Sequence, residues 1–167
     1  AAGETLTAAP SAGVSRVLKQ GEGTLVLRAA ASLFNGTVVE AGELVADTGN
    51  ALGTGPLIIE NDGMFRVVGT GTEVQASQLQ LAAQGRINVG KGSVRIPAGG
   101  YDKVALETAL ADGRLAADSP GLVTFAIEQT SGDAVVRFVA NAPPVTVALT
   151  NRRPSLPENT STTEPIR

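Results

Sequence analysis

The chain has neither cysteine nor histidine. Their absence excludes disulfides, zinc sites of the usual His/Cys kind, haem ligation, a cysteine nucleophile and a Ser-His-Asp triad. Tryptophan is also absent, and aromatics make up 3% of the residues: Phe34, Phe65, Tyr101, Phe125 and Phe138. So few rings weaken a lectin that stacks pyranose rings, and a single-strand nucleic-acid binder that stacks bases. There is no basic surplus: 13 Lys and Arg stand against 16 Asp and Glu, a formal charge of −3 at pH 7. That argues against a phosphate-backbone footprint. No apolar run approaches the roughly 18 residues of a membrane span. No signal peptide is legible. The chain opens Ala1-Ala2-Gly3 without Met, as expected after removal of an upstream segment. The lack of cysteine suits a bacterial secreted protein as well as a cytosolic one.

What is present is apolar mass and turns. Of 167 residues, 43% are apolar, with 20 Gly and 9 Pro, enough for one domain with many reversals. A Gly-x-apolar step recurs at Gly23-Thr24-Leu25, Gly42-Glu43-Leu44, Gly63-Met64-Phe65 and Gly85-Arg86-Ile87, at intervals of 19, 21 and 22 residues. Strand-like alternation follows each step: Leu25 and Leu27, Leu44 and Ala46, Phe65 and Val67, Ile87 and Val89. A second apolar cluster precedes each Gly: Val17-Leu18, Val38-Val39, Ile58-Ile59, then Leu79 and Leu81. Each period therefore holds two short strands with a Gly turn between them. A solenoid explains a fixed period, because each coil stacks the same side-chain type on its predecessor. Aliphatic ladders suit a narrow interior, and Gly supplies the positive φ of tight corners. Residues 16–100 read as about four coils of a parallel β-helix, in an all-β chain. An antiparallel β-sandwich with coincidental spacing is the alternative.

The segment Val17-Leu18-Lys19-Gln20-Gly21-Glu22-Gly23-Thr24-Leu25-Val26-Leu27, followed by Asn35-Gly36-Thr37-Val38-Val39-Glu40-Ala41-Gly42-Glu43-Leu44, resembles the autotransporter-associated β-strand repeat. Asn50-Ala51-Leu52-Gly53-Thr54-Gly55-Pro56-Leu57 is the most specific part of the match. The resemblance covers about residues 17–67. It implies a right-handed parallel β-helix in a large secreted or surface-exposed bacterial protein, and it transfers no catalytic residue.

Residues 101–113 are expected to form a short helix that caps the last coil. Tyr101, Val104, Ala105 and Thr108 fall at helical spacing with Leu106 and Leu110 beside them, Gly99-Gly100 precede and Gly113 follows. Asp102 and Glu107 suit the dipole of its N-terminal half. The runs Leu122 to Ile127 and Ala134 to Ala140, joined through Ser131-Gly132-Asp133, predict a C-terminal β-hairpin. This order of elements is similar to regions of very large secreted proteins of planctomycete type. The organisation read from the sequence is a lead-in or cap over 1–15, the solenoid, a short helix plus strands over 101–150, and an extended Pro/Ser/Thr-rich tail over 151–167. The tail is a linker or an arm that docks on a neighbouring subunit.

Pro144 to Asn151, then Ser155-Leu156-Pro157-Glu158-Asn159-Thr160-Ser161-Thr162, resembles the opening of a bacterial cadherin-like repeat. That resemblance implies Glu158 as a calcium ligand between domains. One carboxylate does not make a site for an ion that takes roughly six to eight oxygens. A second candidate is a corner row of Glu22, Glu40 with Glu43, and Glu60 with Asp62. Stacked coils would set these about 5 Å apart, as a Ca²⁺ site or as the acid and base of a glycosidase. For the enzyme reading the nearby bases are Lys19, Arg28 and Arg66; the bland reading is an exposed corner kept soluble by charge. Gly53-Thr54-Gly55-Pro56 and Gly69-Thr70-Gly71-Thr72 lack the Lys-Ser/Thr of a phosphate loop and read as turns. Asn35-Gly36-Thr37 and Asn159-Thr160-Ser161 match a glycosylation sequon.

The expected role is a non-catalytic extracellular or cell-surface structural element: a stalk, spacer, layer or filament subunit that self-associates or contacts adjacent domains. No cofactor is required. A calcium-dependent adhesion module and a polysaccharide-active β-helix enzyme stay open.

Overall fold

The computed structural model describes residues 4–8, 14–29, 35–118 and 122–139. The tail, Glu158 and the second sequon lie outside them. The first strands are β1 (Thr5–Ala8), β2 (Val17–Lys19) and β3 (Thr24–Leu27). Two long bent strands follow, β4 (Thr37–Ala46) and β5 (Leu57–Val67). Each bends where the sequence places its Gly step, so one strand contributes to two faces of the coil. After them come β6 (Glu73–Gln75), β7 (Leu79–Leu81), β8 (Arg86–Asn88) and β9 (Ser93–Ile96).

Successive coils pair in parallel. On one face β2, the first half of β4, the first half of β5 and β7 stack in register. On the next face β1, β3, the second halves of β4 and β5, then β8 do the same. The result is a β-solenoid of about four turns. The parallel registers overturn the β-sandwich alternative. The alternation seen in the sequence becomes vertical ladders. Leu6, Leu25, Leu44, Phe65, Ile87 and Leu115 occupy one register position on successive rungs. Leu44, Phe65, Ile87 and Leu115 are buried, and each large aliphatic side chain so buried stabilises the fold by about 1.5–3 kcal/mol before chain entropy is counted.

The sequence reading gives each period two strands, but two coils have a third. β6 and β9 pair in parallel, with Val74 opposite Val94, and bury both. In the preceding coil residues 48–55 are turns that bury Ala51 and Leu52 at the same level.

The C-terminal end is closed by a helix, a two-residue strand and a hairpin. The helix α1 (Lys103–Ala111) is N-capped by Asp102, whose carboxylate accepts the Ala105 N–H at 3.1 Å. Its inward stripe differs from the expected one. Leu106 and Ala109 are buried, whereas Val104 is 69% exposed. Tyr101 precedes the helical residues, so counting turns from it misphases the stripe. The strand β10 (Leu115–Ala116), which the sequence reading misses, adds a rung beside β8. The hairpin is present: β11 (Leu122–Ile127) pairs antiparallel with β12 (Ala134–Val139) across residues 128–133. β12 docks antiparallel on β9, giving a second sheet in the order β11-β12-β9-β6.

Candidate functional site: the carboxylate corner

The corner between the first two faces carries the acidic residues singled out in the sequence. Its length varies from coil to coil. Residues 20–23 fill it between Lys19 and Thr24, residues 40–42 between Val39 and Glu43, and residues 60–63 between Ile59 and Met64. The shorter β4 corner produces a register shift, with Val39 opposite Ile59 but Ala41 opposite Asp62. Asp62 therefore lies opposite Ala41, and Glu43 opposite Met64, with no carboxylate across from either. Glu22, Glu43 and Asp62, with Asn61, Gln84 and Arg86, line an open groove of about 630 Å³. Glu40 is exposed outside that lining, and its carboxylate accepts a hydrogen bond from Gln20 Nε2 at 2.7 Å. Glu60 is exposed and does not line the groove. Among the described residues, no three acidic side chains gather closely enough to hold a metal ion. Of Glu22, Glu40 and Asp62, the fold brings Glu22 and Asp62 to the groove and leaves Glu40 outside its lining.

The corner glycines do less φ work and more steric work than expected. Of the four step glycines only Gly42 has a positive φ, +73°. The other three are small because neighbouring coils approach closely. A Cβ at Gly23 would lie 2.7 Å from the Glu4 carbonyl oxygen, and one at Gly63 would overlap the Val39 carbonyl.

Lys19 lies at the corner but points inward. It takes the register position of Val39, Ile59 and Leu81, and is 6% exposed. Its ammonium turns into the corner and donates to the carbonyls of Gln20 at 3.2 Å, Ala41 at 2.9 Å and Gly21. Burial lowers its pKa from the ordinary lysine value. Lys19 therefore pins the corner backbone and is not a base facing the groove. The twenty-residue spacing to Val39 was the signal for its inward position.

The other bases are occupied. Arg28 pairs with Asp47 at 3.4 Å. Arg66 bonds Asp118 at 2.8 Å and lies 3.7 Å from Glu43. The hydrogen bond from Arg66 lowers the Asp118 pKa, and Asn88 Nδ2 donates to the same carboxylate at 2.9 Å. Glu43 also accepts from Thr24 Oγ1 at 3.1 Å. Arg86, unmarked in the sequence, is the base on the groove.

A second charged cluster lies on the third face. Arg95 on β9 forks to Glu73 of β6 at 2.9 and 3.2 Å and to Glu128 beyond β11 at 2.8 and 3.0 Å. Asp133 lies 3.5 Å away. These hydrogen bonds raise the Arg95 pKa and lower that of Glu128. In the first sequon Thr37 is 1% exposed, inside the ladder formed with Val17 and Leu57. Compared with protein families, with curated proteins and with solved structures, the chain matches none.

Proposed function

We propose that this protein is a non-catalytic structural element: a β-solenoid spacer or stalk, secreted or at a bacterial cell surface, that works through self-association or contact with adjacent domains. The single observation that carries the reading is the unbroken in-register ladder from Leu6 to Leu115. Parallel backbone pairing along that ladder makes a short rod that needs no disulfide. The resemblance of residues 17–67 to the autotransporter-associated repeat supports the location. The test is single-molecule pulling between handles at the two ends. A rod yields at high force in coil-sized steps. Stretching at the lowest forces without steps removes the spacer reading.

The polar groove favours a second reading, contact with a polysaccharide. Glu43, Asp62 and Arg86 offer acceptors and donors to sugar hydroxyls along an open channel. Loss of glycan retention in Asp62→Asn would support it, and no retention by the unaltered chain would remove it. The calcium-adhesion reading rests on Glu158, outside the described residues.

A further inference from the structure

We propose that the outer edge of β11 is a homotypic docking strand, on which two copies of this chain pair Leu122–Ile127 antiparallel about a two-fold axis at Phe125. This deepens the structural reading and rests on it. The second sheet ends at β11, and no described strand pairs beyond it. The hydrogen-bond parity of the hairpin sets which groups are left. Glu128 N–H donates to the Asp133 carbonyl at 2.9 Å, and Phe138 N–H donates to the Gly92 carbonyl at 3.2 Å. With Phe138 turned toward β9, Val123 opposite it turns away from β12, and so do Phe125 and Ile127. Their N–H and C=O groups form the open edge.

That edge lacks the devices that blunt others. Leu122 to Ile127 contains no charge, proline or glycine. By contrast, the edge of β7 already donates the Leu79 N–H to the Gly100 carbonyl at 2.7 Å. The edge of β1 carries threonines, and β10 has two residues.

The two-fold register is self-complementary. Phe125 faces Phe125 of the other copy, Val123 faces Ile127, and Thr124 faces Ala126. The Phe125–Phe125 pair and the two Val123–Ile127 pairs each exchange two backbone hydrogen bonds, whereas Thr124 and Ala126 keep theirs with β12. Ile127, 39% exposed in the single chain, is then covered by Val123. No like charges meet: Glu128 falls opposite Leu122 and is already held by Arg95. The contact is isologous and closes at two copies. One strand edge is a small interface, so the dimer is weak.

The test is sedimentation equilibrium of the full chain from low micromolar to near-millimolar concentration, with amide hydrogen exchange at Val123, Phe125 and Ile127. The expected result is a reversible dimer, with those three amides protected only as it forms. Thr124→Lys sets like charges diagonally across the axis. It should weaken association by about tenfold or more while leaving the melting temperature unchanged, whereas Thr124→Val should still dimerise. A monomer throughout, a dimer indifferent to Thr124→Lys, or slow exchange of these amides in the monomer would each overturn the proposal. The last would mean that the edge is covered from within the chain. None of these outcomes bears on the rod, which the pulling experiment tests through its coils.

Discussion

Thr37 stands in an aliphatic ladder between Val17 and Leu57, and among the described residues its buried hydroxyl has no partner. An unpaired buried hydroxyl opposes folding, and valine has the same shape without it. Thr37→Val is therefore expected to raise stability by about 1 kcal/mol, read as a higher urea midpoint at unchanged slope. Gly42 works in the opposite sense. Its φ of +73° strains any other residue, and a Cβ would meet the Gly21 and Gly23 carbonyl oxygens, the latter at 2.6 Å. Gly42→Ala should cost about 2–3 kcal/mol, visible in the same titration. At this scale the sequence was partly legible. The step glycines were found from their spacing, but the reason for three of the four is crowding between coils, which only the stacked structure reveals. The inward position of Lys19 was not legible from its residue type, because a charged side chain on an apolar register normally faces out. Here three backbone carbonyls at the corner give its ammonium an internal partner set.

The hairpin and the helix show what an element gains from its neighbours. Arg95 ties β9 to Glu73 on β6 and to Glu128 at the end of β11. Bidentate forks of this kind are stronger than single surface pairs. Arg95→Met would leave Glu73, Glu128 and Asp133 facing one another without the cation. The hairpin amides should then exchange well before those of β4 and β5, with the melting temperature lower by several degrees. Arg95→Lys should not restore it, since an ammonium cannot fork to both carboxylates. The hairpin was readable from two apolar runs and a Gly turn. The helix was readable from its glycine stops and Asp102, but its buried stripe was not. Leu106 and Ala109 face inward because β10 and β11 lie there, and those strands are brought to the helix only by the coil closing beneath them. β6 and β9 escaped notice because Val74 and Val94 sit among polar residues, where burial is decided by the ladder and not by the local pattern.

Across the molecule, carboxylates hold the C-terminal cap to the coils. Asp118 joins the segment after β10 to Arg66 and Asn88, and Glu128 joins the hairpin to Arg95. Both carboxylates have folded-state pKa values below their ordinary ones, each first because of its arginine hydrogen bond. For a depressed carboxylate the stabilisation is fully present above the unfolded value, about 4, and is lost as pH falls through the lower folded value. Stability should therefore be flat near neutrality and decline below about pH 4, with the cap opening before the coils. Circular dichroism along an acid titration, with exchange read separately in β12 and β4, checks both. Arg66→Met should shift that decline by removing the Asp118 contribution. The sequence alone determined the solenoid, because a ladder needs only a repeated spacing of apolar residues, and spacing is a property of the chain. It did not determine where the corner carboxylates point, how the last coil is closed or which strand edge stays open. Those depend on one residue more or less at a corner, and on which element lies against which. Register and packing are relations between distant segments, and they acquire values only when the coils stack.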